Sequence, residues 1–153
     1  MTSSQFTYET YIRTTPEQLW RALTEPEFTR QYWAETWPES TWEPGASWRL
    51  MIPDGRVGDS GQILEIEPCR RLVHTLQVEI DDALRAEGPS RVTYELEPVG
   101  TSVKLTFKQE IDRPDSAVIA TMSQGWPHLL ASLKSLLETG KALEETSRWP
   151  EGH

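Results

Sequence analysis

Gly125-Trp126-Pro127-His128-Leu129-Leu130-Ala131-Ser132-Leu133-Lys134-Ser135-Leu136-Leu137-Glu138-Thr139-Gly140 is the stretch that decides the fold. Its large apolar residues fall at 126, 129, 130, 133 and 137, with Leu136 at the border. Offsets of three, four, seven and eleven from Trp126 trace one stripe along a helix. His128, Ser132, Lys134, Ser135 and Glu138 go to the opposite side, and Gly140 suits the left-handed residue that closes a helix. Each large apolar side chain buried is worth roughly 1.5–3 kcal/mol, so a helix this one-sided needs a surface to lie on.

The preceding sequence supplies strands. Residues 5–13 alternate, with Phe6, Tyr8, Thr10 and Ile12 on one face and Ile12 pointing inward. Thr15-Pro16-Glu17 opens a short helix whose apolar side is Leu19, Trp20 and Leu23. Thr24-Glu25-Pro26-Glu27 repeats the start signal for a second, carrying Phe28, Tyr32 and Trp33. From Trp37 to Phe107 strands and turns follow, with strands expected over 37–43, 46–52, 61–67 and 71–80 and around 92–96 and 103–107. Pro53-Asp54-Gly55 and Val99-Gly100-Thr101 mark tight turns, and links this short imply antiparallel neighbours.

Polar residues 81–90 read as the longest loop, either a lid or a surface excursion. Ser116 is the expected cap of a final helix over about 117–143, kinked near Gly125–Pro127 because Pro127 removes a bond to the Ser123 carbonyl. The result is one α+β domain over 1–143, with an exposed, frayed tail over 144–153.

Composition narrows the function classes. A net charge of −9 with no basic stripe argues against nucleic-acid binding. No apolar run is long enough to span a membrane, and the first residues lack the order of a signal peptide. The single Cys69 excludes an internal disulfide, which makes a cytoplasmic protein the default. There is no CxxC or HExxH spacing, no Ser/His/Asp order and no phosphate-cradling glycine loop, so neither a metal nor a cofactor is expected. Seven tryptophans supply broad flat surface, part of which is expected to line a pocket.

Four stretches then give the sequence a family likeness. They are Tyr11-Ile12-Arg13-Thr14-Thr15-Pro16-Glu17-Gln18-Leu19-Trp20 with Leu23-Thr24-Glu25-Pro26-Glu27; Trp42-Glu43-Pro44-Gly45 with Trp48-Arg49; Gly61-Gln62-Ile63-Leu64-Glu65 through Pro68, Arg71-Leu72-Val73 and Thr75; and Gly125–Gly140. Together they resemble the SRPBCC superfamily, the START and birch-pollen-allergen-like fold. Within it they look like bacterial homologues of the activator of the heat-shock-protein ATPase. The resemblance implies a helix-grip fold, β-α-α-β6-α, in which a curved antiparallel sheet wraps the last helix and leaves a cavity. It does not imply one activity, because relatives include ligand carriers, cyclases, resistance proteins and co-chaperone domains.

On this reading Trp33, Trp48, Leu50, His74, Leu76, Tyr94, Phe107, Met122, Trp126, Leu129 and Leu130 face the helix or lie on it. Packing accounts for most of such a set, while a sheet curving away from a helix leaves part of it beside a void fit for an apolar or aromatic molecule. His74 is either a satisfied core histidine or a polar contact to that molecule. Glu65 is an acid–base partner for His74 if it points inward and a solvated charge if outward, and alternation leaves the choice open. The expected function is small-molecule binding. Its rivals are a module that stimulates a chaperone ATPase and a cyclase or hydrolase using His74 and Glu65. A homodimer through an edge strand stays open.

Overall fold

A computed structural model describes residues 3–150. The chain runs β1 (Ser4–Ile12), α1 (Pro16–Thr24), α2 (Pro26–Tyr32), β2 (Trp37–Ser40), β3 (Ser47–Met51), β4 (Val57–Glu67) and β5 (Arg71–Val78). It continues through α3 (Asp82–Ala86), β6 (Ser90–Val99), β7 (Ser102–Ile111) and α4 (Ala117–Thr139), then a 3-10 turn at Glu144–Thr146. The strands form one sheet in the order β1-β7-β6-β5-β4-β3-β2, each pair antiparallel. The helix-grip α+β architecture is present, with α3 added between β5 and β6.

Alternation sets the inner face. Trp48 and Leu50 of β3, Leu72, His74, Leu76 and Val78 of β5, Val92, Tyr94 and Leu96 of β6, and Val103, Leu105 and Phe107 of β7 are all buried. Ile12 at the end of β1 is buried as expected. Onto this face α4 lays Trp126, Leu130, Leu133 and Leu136, with Leu129 and Leu137 half-buried at the stripe's border.

The ends of α4 follow the sequence signals. The Ser116 hydroxyl accepts from the Ile119 N–H, and Gly140 closes the helix at φ 84°. The helix therefore stops at Thr139, four residues short of the expected 143, and it runs through Pro127 without ending. Its C-terminal half is laced to the end of the first strand: Lys134 Nζ donates to the Tyr11 carbonyl (2.6 Å), and the N–H of Arg13, just past β1, to Glu138 Oε2 (2.8 Å).

The segment expected as a loop over 81–90 folds instead. Asp81 caps α3, accepting from the Leu84 N–H. Glu87 beyond it reaches the start of α4, where its carboxylate takes the Ser116 hydroxyl (2.6 Å) and the Ala117 and Val118 N–H groups (2.8 and 3.2 Å). Burial opposes the Glu87 charge, yet these donors outweigh it and hold the carboxyl below its ordinary pKa.

A bulge decides the alternation that the sequence left open. Ile63 pairs with His74, but Glu65 pairs with Val73 and Ile66 with Leu72, so Leu64 is the extra residue. Ile63 consequently faces the core, while Glu65 points outward to Arg71 (3.3 Å) and Arg91 (3.1 Å). The proposed pairing of Glu65 with His74 is not formed, because the two side chains lie on opposite faces of the sheet.

Two glycines make a paired prediction of opposite sign. A Cβ on Gly61 would overlap the Thr75 carbonyl oxygen, whereas one on Gly125 meets open space. Gly61→Ala is expected to cost about 1–3 kcal/mol. Gly125→Ala, at a helical position, should gain about 0.5–1 kcal/mol. Denaturation midpoints at unchanged m-value check both, and shifts of the same sign would contradict this packing.

Candidate functional site

The site is built on a row of rings. From β3 inward and across the sheet, Trp48 lies 4.2 Å from His74, His74 6.1 Å from Tyr94, and Tyr94 5.3 Å from Phe107, centroid to centroid. Phe107 is 4.4 Å from Trp126 on α4, which in turn meets Trp33, just after α2, edge-on at 5.6 Å. Spacings and tilts of this kind suit the ring quadrupoles. The row begins in the core and ends at a pocket.

That pocket has a volume of about 330 Å³, within the range of ligand sites. Tyr32, Trp33, Met122, Trp126 and Leu129 form its apolar walls. Of the sequence-selected residues, Trp33, Met122, Trp126 and Leu129 come together here. Trp48, Leu50, His74, Leu76, Tyr94, Phe107 and Leu130 are buried behind them and do not line it. A larger concavity of about 810 Å³ lies elsewhere, bordered by Glu17, Glu67, Arg70, Arg71, Glu95 and Glu97. Its charged rim offers nothing comparable to the edge-to-face indoles.

The indole of Trp126 is fixed from below by a polar group that the sequence reading missed. Gln109 is fully buried and accepts from Trp126 Nε1 at 2.9 Å. Its amide nitrogen donates to Ser90 Oγ (3.0 Å) and to Met122 Sδ (3.1 Å). One side chain thus sets two walls of the pocket and closes its own hydrogen bonds in doing so. Counting by twos from Leu105 and Phe107 would have placed Gln109 on the inner face.

His74 is a core histidine. Its Nδ1 donates to the Thr75 carbonyl (2.8 Å), and burial depresses its pKa to about 4 despite that bond. It is neutral near pH 7 and belongs to the packing.

Asp59 is the second residue the sequence reading missed. It faces Leu50 across the β3–β4 ladder and reaches the pocket from the sheet side. Burial, then the nearby charge of Glu79, pushes its carboxyl up to about 7. Among the described residues its carboxyl oxygens have no hydrogen bond and no ion pair. It was passed over because strand β4 was expected to begin at Gly61, whereas pairing with β3 and β5 extends it back to Val57.

The tail supplies the last wall, contrary to the expectation that it frays. The Leu143 N–H donates to Ser132 Oγ (2.9 Å), the Ala34 N–H to the Thr146 carbonyl (2.7 Å), and the Trp149 N–H to Glu35 Oε2 (3.3 Å). Ser132, assigned to the solvent side of α4, is buried for this reason. Ala34 and Glu35 hold positive φ of 49° and 62° to make the turn that receives the strap. Glu145, Thr146, Arg148 and Pro150 then line the pocket together with exposed His128, whose Nε2 is 3.8 Å from Glu145 Oε1. Residues 151–153 lie outside the described part of the chain.

Among the described residues no group of three His, Cys, Asp or Glu side chains is arranged to hold a metal ion.

With this geometry in view, comparison with known proteins is informative. Residues 13–138 match the family described as "Activator of Hsp90 ATPase homolog 1-like protein". The chain belongs to that family. Protein MLL2253 of Mesorhizobium loti, solved by crystallography, is 28% identical with a TM-score of 0.73, over 88% of this chain and 96% of that one. The Aha1 dimer of Colwellia psychrerythraea is 17% identical with a TM-score of 0.72, over 91% and 99%. CalU16 of Micromonospora echinospora is 18% identical with a TM-score of 0.70, over 90% and 78%. At such identities the last two attest the fold alone. No curated protein matches the chain. No helix among the described residues is long and apolar enough to cross a membrane.

Proposed function

We infer that this member of the family binds an apolar or aromatic small molecule in the pocket bounded by α2, α4 and the C-terminal strap. The observation that carries this reading is the pair of indoles, Trp33 and Trp126, set edge to face at 5.6 Å on a cavity of about 330 Å³. A molecule seated there would bury flat apolar surface against Trp33, Met122 and Leu129, with Trp126 held rigid by Gln109. Little ordering of the wall is needed on binding, because the buried amide has already fixed it.

Titration of tryptophan emission against a panel of fatty acids, polycyclic aromatics and aromatic amines tests this. At least one member should give a saturable change, weakened about tenfold by Trp33→Ala, which corresponds to about 1.4 kcal/mol of contact. A panel without saturable binding at millimolar concentration would overturn the reading.

The family's own description favours one other reading, a protein-interaction module acting on a chaperone ATPase. Stimulation of a bacterial chaperone ATPase by the purified chain, with no response to the panel, would select it. The His74–Glu65 cyclase or hydrolase is not carried forward, since the sheet separates those residues.

A further inference from the structure

The pocket is not uniformly apolar. Tyr32, Trp33 and Trp126 border a space that the carboxyl group of Asp59, half-buried, reaches from strand β4. Asp59 is half-buried there, and a carboxylate partly shielded from water is held best when a donor meets it. Its neighbours do not. Glu79 beside it is already occupied by Ser60, Gln77 and Arg85, and adds a like charge. Tyr32 lines the same pocket, but its hydroxyl donates to the Ala22 carbonyl rather than to Asp59. Among the described residues the Asp59 oxygens therefore have no donor, and their open side is the pocket.

The other ionisable lining groups, His128, Glu145 and Arg148, are exposed. A half-buried acid set against aromatic walls matches one ligand chemistry closely. A protonated amine gains a charge-assisted hydrogen bond from the carboxylate and cation–π attraction from the indoles, while its carbon frame covers the rings.

Resting on the reading of this pocket as a small-molecule site, we propose that its ligand is an aromatic or aliphatic amine whose nitrogen is met by Asp59. The acid selects the amine from neutral molecules of the same shape, and the net charge of −9 draws cations toward the chain.

The test uses two probes of one shape on the full chain at pH 8. These are 2-(aminomethyl)naphthalene, which is cationic, and 2-(hydroxymethyl)naphthalene, which is neutral. The wild type should bind the amine at least tenfold more tightly than the alcohol. Asp59→Asn, which keeps the side-chain shape, should bring the two within about twofold, chiefly by weakening the amine. Asp59→Ser provides the same comparison if the Asn variant folds poorly. Equal affinity of the wild type for both probes would overturn the amine proposal and leave the pocket reading standing, as would a preference that survives both substitutions. Failure of both probes to bind at millimolar concentration would overturn the two together.

Discussion

Phe107→Ala is expected to destabilise the chain by about 3–5 kcal/mol, the range for a large ring removed from a closed core. Phe107 is fully buried and touches three elements at once: Tyr94 on β6 at 5.3 Å, Phe6 on β1 at 6.3 Å and Trp126 on α4 at 4.4 Å. No neighbour can collapse into the gap without dragging α4 or the sheet with it, and Trp126 is tied in place through Gln109. The loss should therefore fall near the top of the range. Urea unfolding measures it, with the m-value confirming that the native state stays compact. A loss below about 1.5 kcal/mol would show that α4 does not rest on this ring.

The second large effect is a pH dependence concealed in the wild type. His74 binds a proton in the unfolded chain below its ordinary pKa of 6.5, but in the fold only below about 4, because burial disfavours the cation. Between those values the unfolded state holds the extra proton, so His74 makes stability fall as pH falls. Asp59 acts in the opposite sense. Burial, with Glu79 adding to it, raises its carboxyl from 3.8 to about 7, so in nearly the same window the folded state holds the extra proton. Acidification there restores stability that the charged carboxylate removes. The two contributions oppose each other across most of pH 4 to 6.5.

Asp59→Asn deletes one of them. The variant should be the more stable protein near pH 8. It should then lose up to about 3 kcal/mol on going from pH 6.5 to pH 4, the His74 shift converted at about 1.4 kcal/mol per unit. The wild type should stay flatter over the same interval. Groups common to both proteins drop out of the difference, so paired melting curves at half-unit steps suffice. Parallel curves would mean that Asp59 carries an ordinary carboxyl.

Much of this fold was legible because its signals are local and repeated. The alternation in Leu72-Val73-His74-Thr75-Leu76 and in Val103-Lys104-Leu105-Thr106-Phe107 gives the inner face directly, and Ser116 and Gly140 mark α4 at both ends. What escaped depends on pairing rather than pattern. Leu64 looks like any strand residue, and only the partner strand shows it to be the extra one. The strand was expected only from Gly61, which left Asp59 outside it until pairing with β3 and β5 extended the strand back to Val57. The four pocket residues found in advance are Trp33, Met122, Trp126 and Leu129. Their seven companions, His74 apart, share the same apolar chemistry, and sequence does not say where a core stops and a cavity begins. Gln109 and Asp59, the polar members that position the wall and face the pocket, were absent from the expected set.

The strap formed by residues 143–150 alters what counts as dispensable in this chain. Trimming at Gly140, where α4 closes, would keep the sheet and every α-helix while stripping away one side of the chamber. A protease nick in the same place would do likewise. A shortened protein could thus melt normally and still be unable to hold its guest, so folding assays on truncated versions say nothing about whether the chamber is whole.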